Sequence, residues 1–315
     1  MGQLNRRSFL RNAATGSLVA LGWQGSSAGQ VKRKFTLSLN PGAIGVKADQ
    51  ITLLDMAHRH GYEAIIAVPG QLAEMSDGEL AKLLASMKEK RIVWGSAGLP
   101  VQFRQDEEKF QTDLQNLPRL AAVLQKAGVT RVGTWIMPTH ADLTYMANLK
   151  QHARRLREAS IVLADHGLRL GLEYVGPQTL MTSQRFPFVH TMAETKDLIA
   201  AIGQDNVGFQ LDSFHWYCAG ETEADLLSLS IQDIVLADLN DARSGYSRED
   251  QIDGKRELPS ATGVIDLKIF LGALVKIGYD GPIRAEPFNQ KLRDMDDEAA
   301  LKATFTAMKK SFDLV

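Results

Sequence analysis

Asp233–Ala242 reads DIVLADLNDA, and its two halves ask for opposite surroundings. Ile234 to Ala237 are apolar or small and suit the middle of a buried strand. Three of the next four residues are Asp238, Asn240 and Asp241. A carboxylate at the end of a core strand is costly unless it is paired or bound to a cation. A strand of this kind belongs in a sheet covered on both faces, with its polar end opening on a site.

Seven other runs resemble it: KFTLSLN, EAIIAVP, RIVWGSA, RVGTWIMP, LRLGLEYVG, VGFQLDSFHW and PIRAEPF. Between them lie longer segments, such as DGELAKLLASMKEKR and FQTDLQNLPRLAAVLQKAG, whose apolar positions recur at three- and four-residue steps. That spacing buries one helix face. Several of these segments end in glycine (Gly61, Gly128, Gly167, Gly203, Gly278), as helix C-termini do. Eight strands, each followed by a helix, predict a closed parallel (β/α)₈ TIM barrel. An open doubly wound sheet would use the same alternation; the count of eight favours closure.

Active sites of such barrels form at the C-terminal ends of the strands. Strand five ends in Glu173, strand six in Asp212 with His215 three residues on, strand seven in Asp238, and strand eight in Glu286. Four acids converging from successive strands repel one another and call for a cation between them. Asp241 reads as a turn or cap residue leading into a polar loop. The single Cys218 reads as a small hydrophobe, since one thiol makes no internal disulfide.

GLEYVGP, QLDSFHWY, LNDA, ELPSATGVIDLKIFLGALVKIGYDGPI and AEPF, taken in this order, resemble the sugar phosphate isomerase/epimerase family of xylose-isomerase-like barrels, which includes ketose 3-epimerases and inosose dehydratase. The likeness runs over nearly all of the chain after residue 28 and is densest from Gly171 to Phe288. It implies one divalent metal held by Glu173, Asp212, Asp238 and Glu286, with Glu173 and Glu286 also moving a proton on opposite faces of a sugar substrate. It implies that His215 hydrogen-bonds a substrate oxygen. Arg243 and Arg256, on the loop after strand seven, are candidates to steady developing negative charge, and Trp216, with Trp94 and Trp135, to stack on a sugar face. The family commonly has His where this chain has Asp238. An all-oxygen site favours Mn²⁺, or Mg²⁺, over Zn²⁺. The excess negative charge then needs an offset: a protonated His215, Arg243, Arg256, or a proton kept on one acid.

The resemblance therefore implies an enzyme, an isomerase or epimerase acting beside a carbonyl of a free or keto sugar through an enediolate. Elimination of water or an aglycone at the same site, and a sugar-binding protein without catalysis, are the competing readings. With 36 basic and 37 acidic residues, the chain has no general field to hold nucleic acid. No G-x-x-x-x-G-K-[ST] phosphate loop is present. Near the start, NRRSFLR (Asn5–Arg11), the apolar AATGSLVALGW and then SSAG read as a twin-arginine export signal over residues 1–28, leaving a single barrel domain over 29–315 in the periplasm or otherwise exported. The apolar stretch is too short to make a stable membrane span. The resemblance implies exposed barrel helices that often pair in the family, so a homo-oligomer is possible, and the sequence does not specify the oligomeric state.

Overall fold

A computed structural model describes residues 33–315, which form one compact unit; the export signal expected over residues 1–28 lies outside the described residues. The strands in chain order are β1 (Thr36–Leu39), β2 (Ala64–Ala67), β3 (Val93–Gly98), β4 (Arg131–Ile136), β5 (Thr139–His140), β6 (Arg169–Tyr174), β7 (Phe186–Pro187), β8 (Val207–Asp212), β9 (Ile234–Leu239) and β10 (Pro282–Ala285). Eight of them close in the order β1-β10-β9-β8-β6-β4-β3-β2, all parallel, while β5 and β7 pair antiparallel in a separate two-stranded sheet. All eight strands expected from the sequence are present, and the sheet is closed.

The helices between strands begin and end where the chain supplies the chemistry. Asp49, Asp106, Thr191, Asp266 and Asp296 each accept a backbone N–H from the first turn of their helix, and Ser76 with Glu79 makes a reciprocal capping box. Such caps satisfy amides that the helix leaves open. Gly61 and Gly278 end their helices at φ 83° and 81°, a left-handed conformation that a side chain would strain. Among the described residues, no helix is long and apolar enough to cross a membrane.

The register of the last strands positions the site. Asp212 on β8 lies beside Asp238 on β9, and Asp238 lies beside Arg284 on β10. Register partners on parallel strands share a face, so these three side chains form one row inside the barrel. Glycine makes room beside that row: a Cβ on Gly133 of β4 would sit 2.3 Å from Gln210 Oε1.

Candidate metal and proton-transfer site

The acids predicted at the strand ends do meet. Glu173, Asp212, Asp238 and Glu286 each offer a carboxylate oxygen, and these four atoms lie within 4.8 Å of one another. Glu173 comes from β6, Asp212 ends β8, Asp238 lies in β9, and Glu286 follows β10. Glu173 and Glu286 open on a cavity of about 520 Å³ that is also lined by Thr134, Trp135, Gln210, His215, Arg256, Arg284 and Phe288.

The three polar residues of the opening stretch have three different fates. Asp238 is fully buried and gripped at both oxygens by Arg284, Nε to Oδ1 and Nη2 to Oδ2, each at 2.7 Å, while Gln210 donates to Oδ2 at 2.9 Å. Asn240 donates to Asp212 Oδ2 at 2.9 Å and accepts the Glu286 backbone N–H, which fixes where Glu286 leaves the strand. Asp241 accepts the amides of Ala242, Thr262, Gly263 and Ile265. It tethers the loop after β9, in keeping with its reading as a turn residue.

Arg256, on that loop, is only 2% exposed. Its Nη1 donates to Asp212 Oδ2 at 2.8 Å and lies 3.6 Å from Glu286 Oε2, and its Nη2 donates to Asp253 Oδ1 at 2.7 Å. The same Nη2 approaches His215 Nε2 at 3.1 Å. Burial works against both buried guanidinium charges, but Asp212 and Asp253 around Arg256, and Asp238 beside Arg284, more than offset it and hold both above the ordinary arginine value. The charge offset is thus supplied by Arg256 and Arg284. His215 does not contribute: burial and then the Arg256 charge push its imidazole down to about 4, so it is neutral near pH 7.

Glu173 and Glu286 are the acids without a close ion-pair partner of their own. Burial, followed by the charges of Glu286, Asp212 and Asp238, pushes Glu173 well above the carboxylate range. Burial and then Asp238 push Glu286 up to about 8. Glu173 Oε1 is buried with no hydrogen-bond partner, 4.0 Å from His215 Nε2. An orphaned buried oxygen, an excess of negative charge and an oxygen-rich donor set fit a hard divalent ion. Glu173 and Glu286 are the residues freest to hold it; Asp212 and Asp238 each already use both oxygens, Asp212 on the Phe214 N–H, Asn240 and Arg256, and Asp238 on Arg284 and Gln210.

Two expected substrate contacts are elsewhere. Trp216 packs against Phe270, with ring centroids 5.8 Å apart, and donates its indole N–H to Thr222 O; the helix Ser213–Cys218 turns it away from the pocket into the core. Arg243 lies over the Tyr246 ring at 3.8 Å and lines a neighbouring cavity beside Lys255 and Arg293. Trp94 spends its N–H on Ala127 O, whereas Trp135 does line the pocket. Arg284, Gln210 and Asp253 escaped the sequence reading. Period two was the available signal for the first two: Gln210 precedes Asp212 by two residues and Arg284 precedes Glu286 by two, so they point into the same interior.

The profile of the xylose isomerase-like TIM barrel family matches residues 54–311. The chain belongs to that family. An inosose isomerase of Bacillus velezensis is 26% identical over 256 residues, covering 79% of this xylose isomerase-like barrel and 87% of the relative. A 3-dehydroshikimate dehydratase of Pseudomonas aeruginosa is 27% identical over 243 residues, 73% of this chain but 36% of that longer protein. Among solved structures, a xylose isomerase domain protein from Alicyclobacillus acidocaldarius superposes with a TM-score of 0.79 at 33% identity, covering 89% of this barrel and 99% of the other.

Proposed function

We propose that this barrel is a divalent-metal-dependent sugar isomerase or epimerase that moves a proton at the carbon next to a carbonyl of a free or keto sugar. The observation that carries the reading is the pair Glu173 and Glu286, a buried and a part-buried carboxyl that line the cavity, with no basic group nearer than Arg256 at 3.6 Å from Glu286 and His215 at 4.0 Å from Glu173. A general base works best with a pKa near the operating pH; Glu286 is pushed up to about 8 and Glu173 is shifted in the same direction. One carboxylate takes the proton from carbon and the other carboxylic acid returns one; both are drawn up by burial and by neighbouring acids.

Arg256 holds Asp212 in place and directs positive charge at the cavity. Arg284, pinned by Asp238, presents the rest of its guanidinium to the same space, which neutral His215 also lines, its Nδ1 taken by the Gly176 N–H and its Nε2 beside Arg256. Fixed N–H donors of this kind stabilise the negative charge of an enediolate without reorganising. A divalent ion held by Glu173 and Glu286, with Asp212 and Asp238 beside them, would polarise the carbonyl as a Lewis acid; the all-oxygen donor set favours Mn²⁺, with Mg²⁺ second.

Elimination is the second reading, supported by the 3-dehydroshikimate dehydratase relative: the second acid would then protonate a departing oxygen instead of carbon. The twin-arginine stretch supports export to the periplasm. The test is a screen of sugars and keto sugars with Mn²⁺-loaded protein in D₂O, reading deuterium incorporation by NMR. Glu173→Gln and Glu286→Gln should each abolish incorporation while folding persists. Wild-type incorporation in both variants would refute the proton-transfer roles of the two glutamates, and loss of water or an aglycone would select elimination.

A further inference from the structure

Beside the acid pocket is a second cavity of about 430 Å³, and Trp135 and Met137 line both. Its walls are of a different chemistry. Gln102, Gln105, Asn148, Gln151 and Gln184 surround it, with His140 and His152, and no carboxylate is among the lining residues. Its one permanent charge, Arg104, lies over the Trp135 ring at 4.1 Å and over Phe103 at 4.6 Å, and donates to Trp135 O. Amide side chains beside an indole suit a neutral, hydroxyl-rich ligand, which needs many short-range donors and acceptors and one apolar face.

Two buried acceptors point to such a ligand. Asn148 is 1% exposed and its Oδ1 has no hydrogen-bond partner. His152 is 4% exposed; its Nδ1 lies 3.1 Å from the Asn148 carbonyl and so carries the hydrogen, which makes Nε2 an acceptor, and Nε2 too has no partner. The ring is fixed between Phe103 and Phe188, at centroid distances of 5.4 and 4.8 Å. Burial pushes this imidazole down to about 4, so the acceptor persists at neutral pH. Buried acceptors left open are costly, and these two belong to residues that line the same cavity.

We infer that this cavity is a second sugar subsite, holding a neutral ring joined through a glycosidic bond to the ring that reacts in the acid pocket. The inference rests on the proposed function for which ring reacts, and it extends that reading: the substrate is a disaccharide or glycoside, bound across Trp135. Ring hydroxyls donate to Asn148 Oδ1 and His152 Nε2, the glutamines bind the outer hydroxyls, and the indole covers the junction.

Binding to the Glu173→Gln protein, which removes turnover, is the test. Calorimetric titration with D-glucose and with cellobiose, maltose, trehalose and sucrose should find at least one disaccharide about tenfold tighter than glucose, the gain expected from one or two net hydrogen bonds. Asn148→Leu should remove most of that advantage. Gln151→Ala combined with Gln184→Ala, on the outer side where folding is not at stake, should reduce it as well. Four disaccharides that bind no tighter than glucose, or an advantage that survives both sets of variants, would overturn the subsite. Because binding is read without chemistry, a failed deuterium exchange would leave this result standing, and a failed subsite would leave the exchange result standing.

Discussion

Arg284 and Asp238 form a two-pronged ion pair in the barrel interior, with both bonds at 2.7 Å. They are direct register neighbours on adjacent strands, and Arg284 Nη1 also reaches Ser96 Oγ at 3.2 Å. The pair turns what would be a fourth ligand into the counter-ion of a built-in cation. Arg284→Met should therefore cost about 3–5 kcal/mol, because it leaves a buried carboxylate unpaired, whereas adding Asp238→Leu should restore most of the loss. Urea unfolding midpoints of the two variants check this; equal losses would mean that the pair is not an energetic unit.

Metal affinity should follow which oxygens are free. Asp238→Asn, which disturbs only the neighbourhood of the ion, is expected to weaken Mn²⁺ binding by about tenfold, the lower range for an outer-shell change. Glu173→Gln and Glu286→Gln should weaken it considerably more. Equilibrium dialysis followed by elemental analysis gives the ranking, and a loss with Asp238→Asn as large as with Glu173→Gln would return Asp238 to the ligand set.

The shift of Glu286 makes stability depend on pH. Its folded pKa, about 8, is above the ordinary 4.5, so the native state holds the proton more tightly than the unfolded chain. Stability from this group is full below pH 4.5, declines as pH rises, and is lost through pH 8. Glu173, shifted in the same direction, adds to the decline. In EDTA the melting temperature should fall between pH 5 and 8, and saturating Mn²⁺ should flatten the profile by binding the ionised carboxylates. Identical profiles with and without the ion would contradict this linkage.

Gly176 follows β6 and touches the helix that carries His215. A Cβ there would lie 2.5 Å from His215 O and 3.1 Å from Ala219 N, both backbone atoms. Gly176→Ala must push that helix, and overpacking of this kind costs about 1–3 kcal/mol. Lower thermal stability together with a weaker deuterium-exchange rate is the expected result; unchanged values for both would show that the segment yields freely.

Much of this molecule is legible in one dimension. Eight apolar runs alternating with amphipathic segments predict the barrel, because strand and helix periods are local properties of the chain. Glu173, Asp212, Asp238 and Glu286 could be placed together because a parallel barrel puts every strand end on one rim. His215 and Arg256 likewise stand in the pocket. Trp216 and Arg243 do not; all four lie past a strand end, where the turn of a short helix or the path of a long loop, and not the strand period, sets the direction of the side chain.

The sequence by itself determined the barrel, the rim on which its chemistry collects, and the acids that stand there, since all three follow from periodicity and strand order. Only the tertiary structure decided what each acid faces. Whether a carboxylate holds a cation, caps an amide or lies open to a ligand depends on neighbours such as Arg284, 46 positions from Asp238, that strand register alone brings within hydrogen-bond distance.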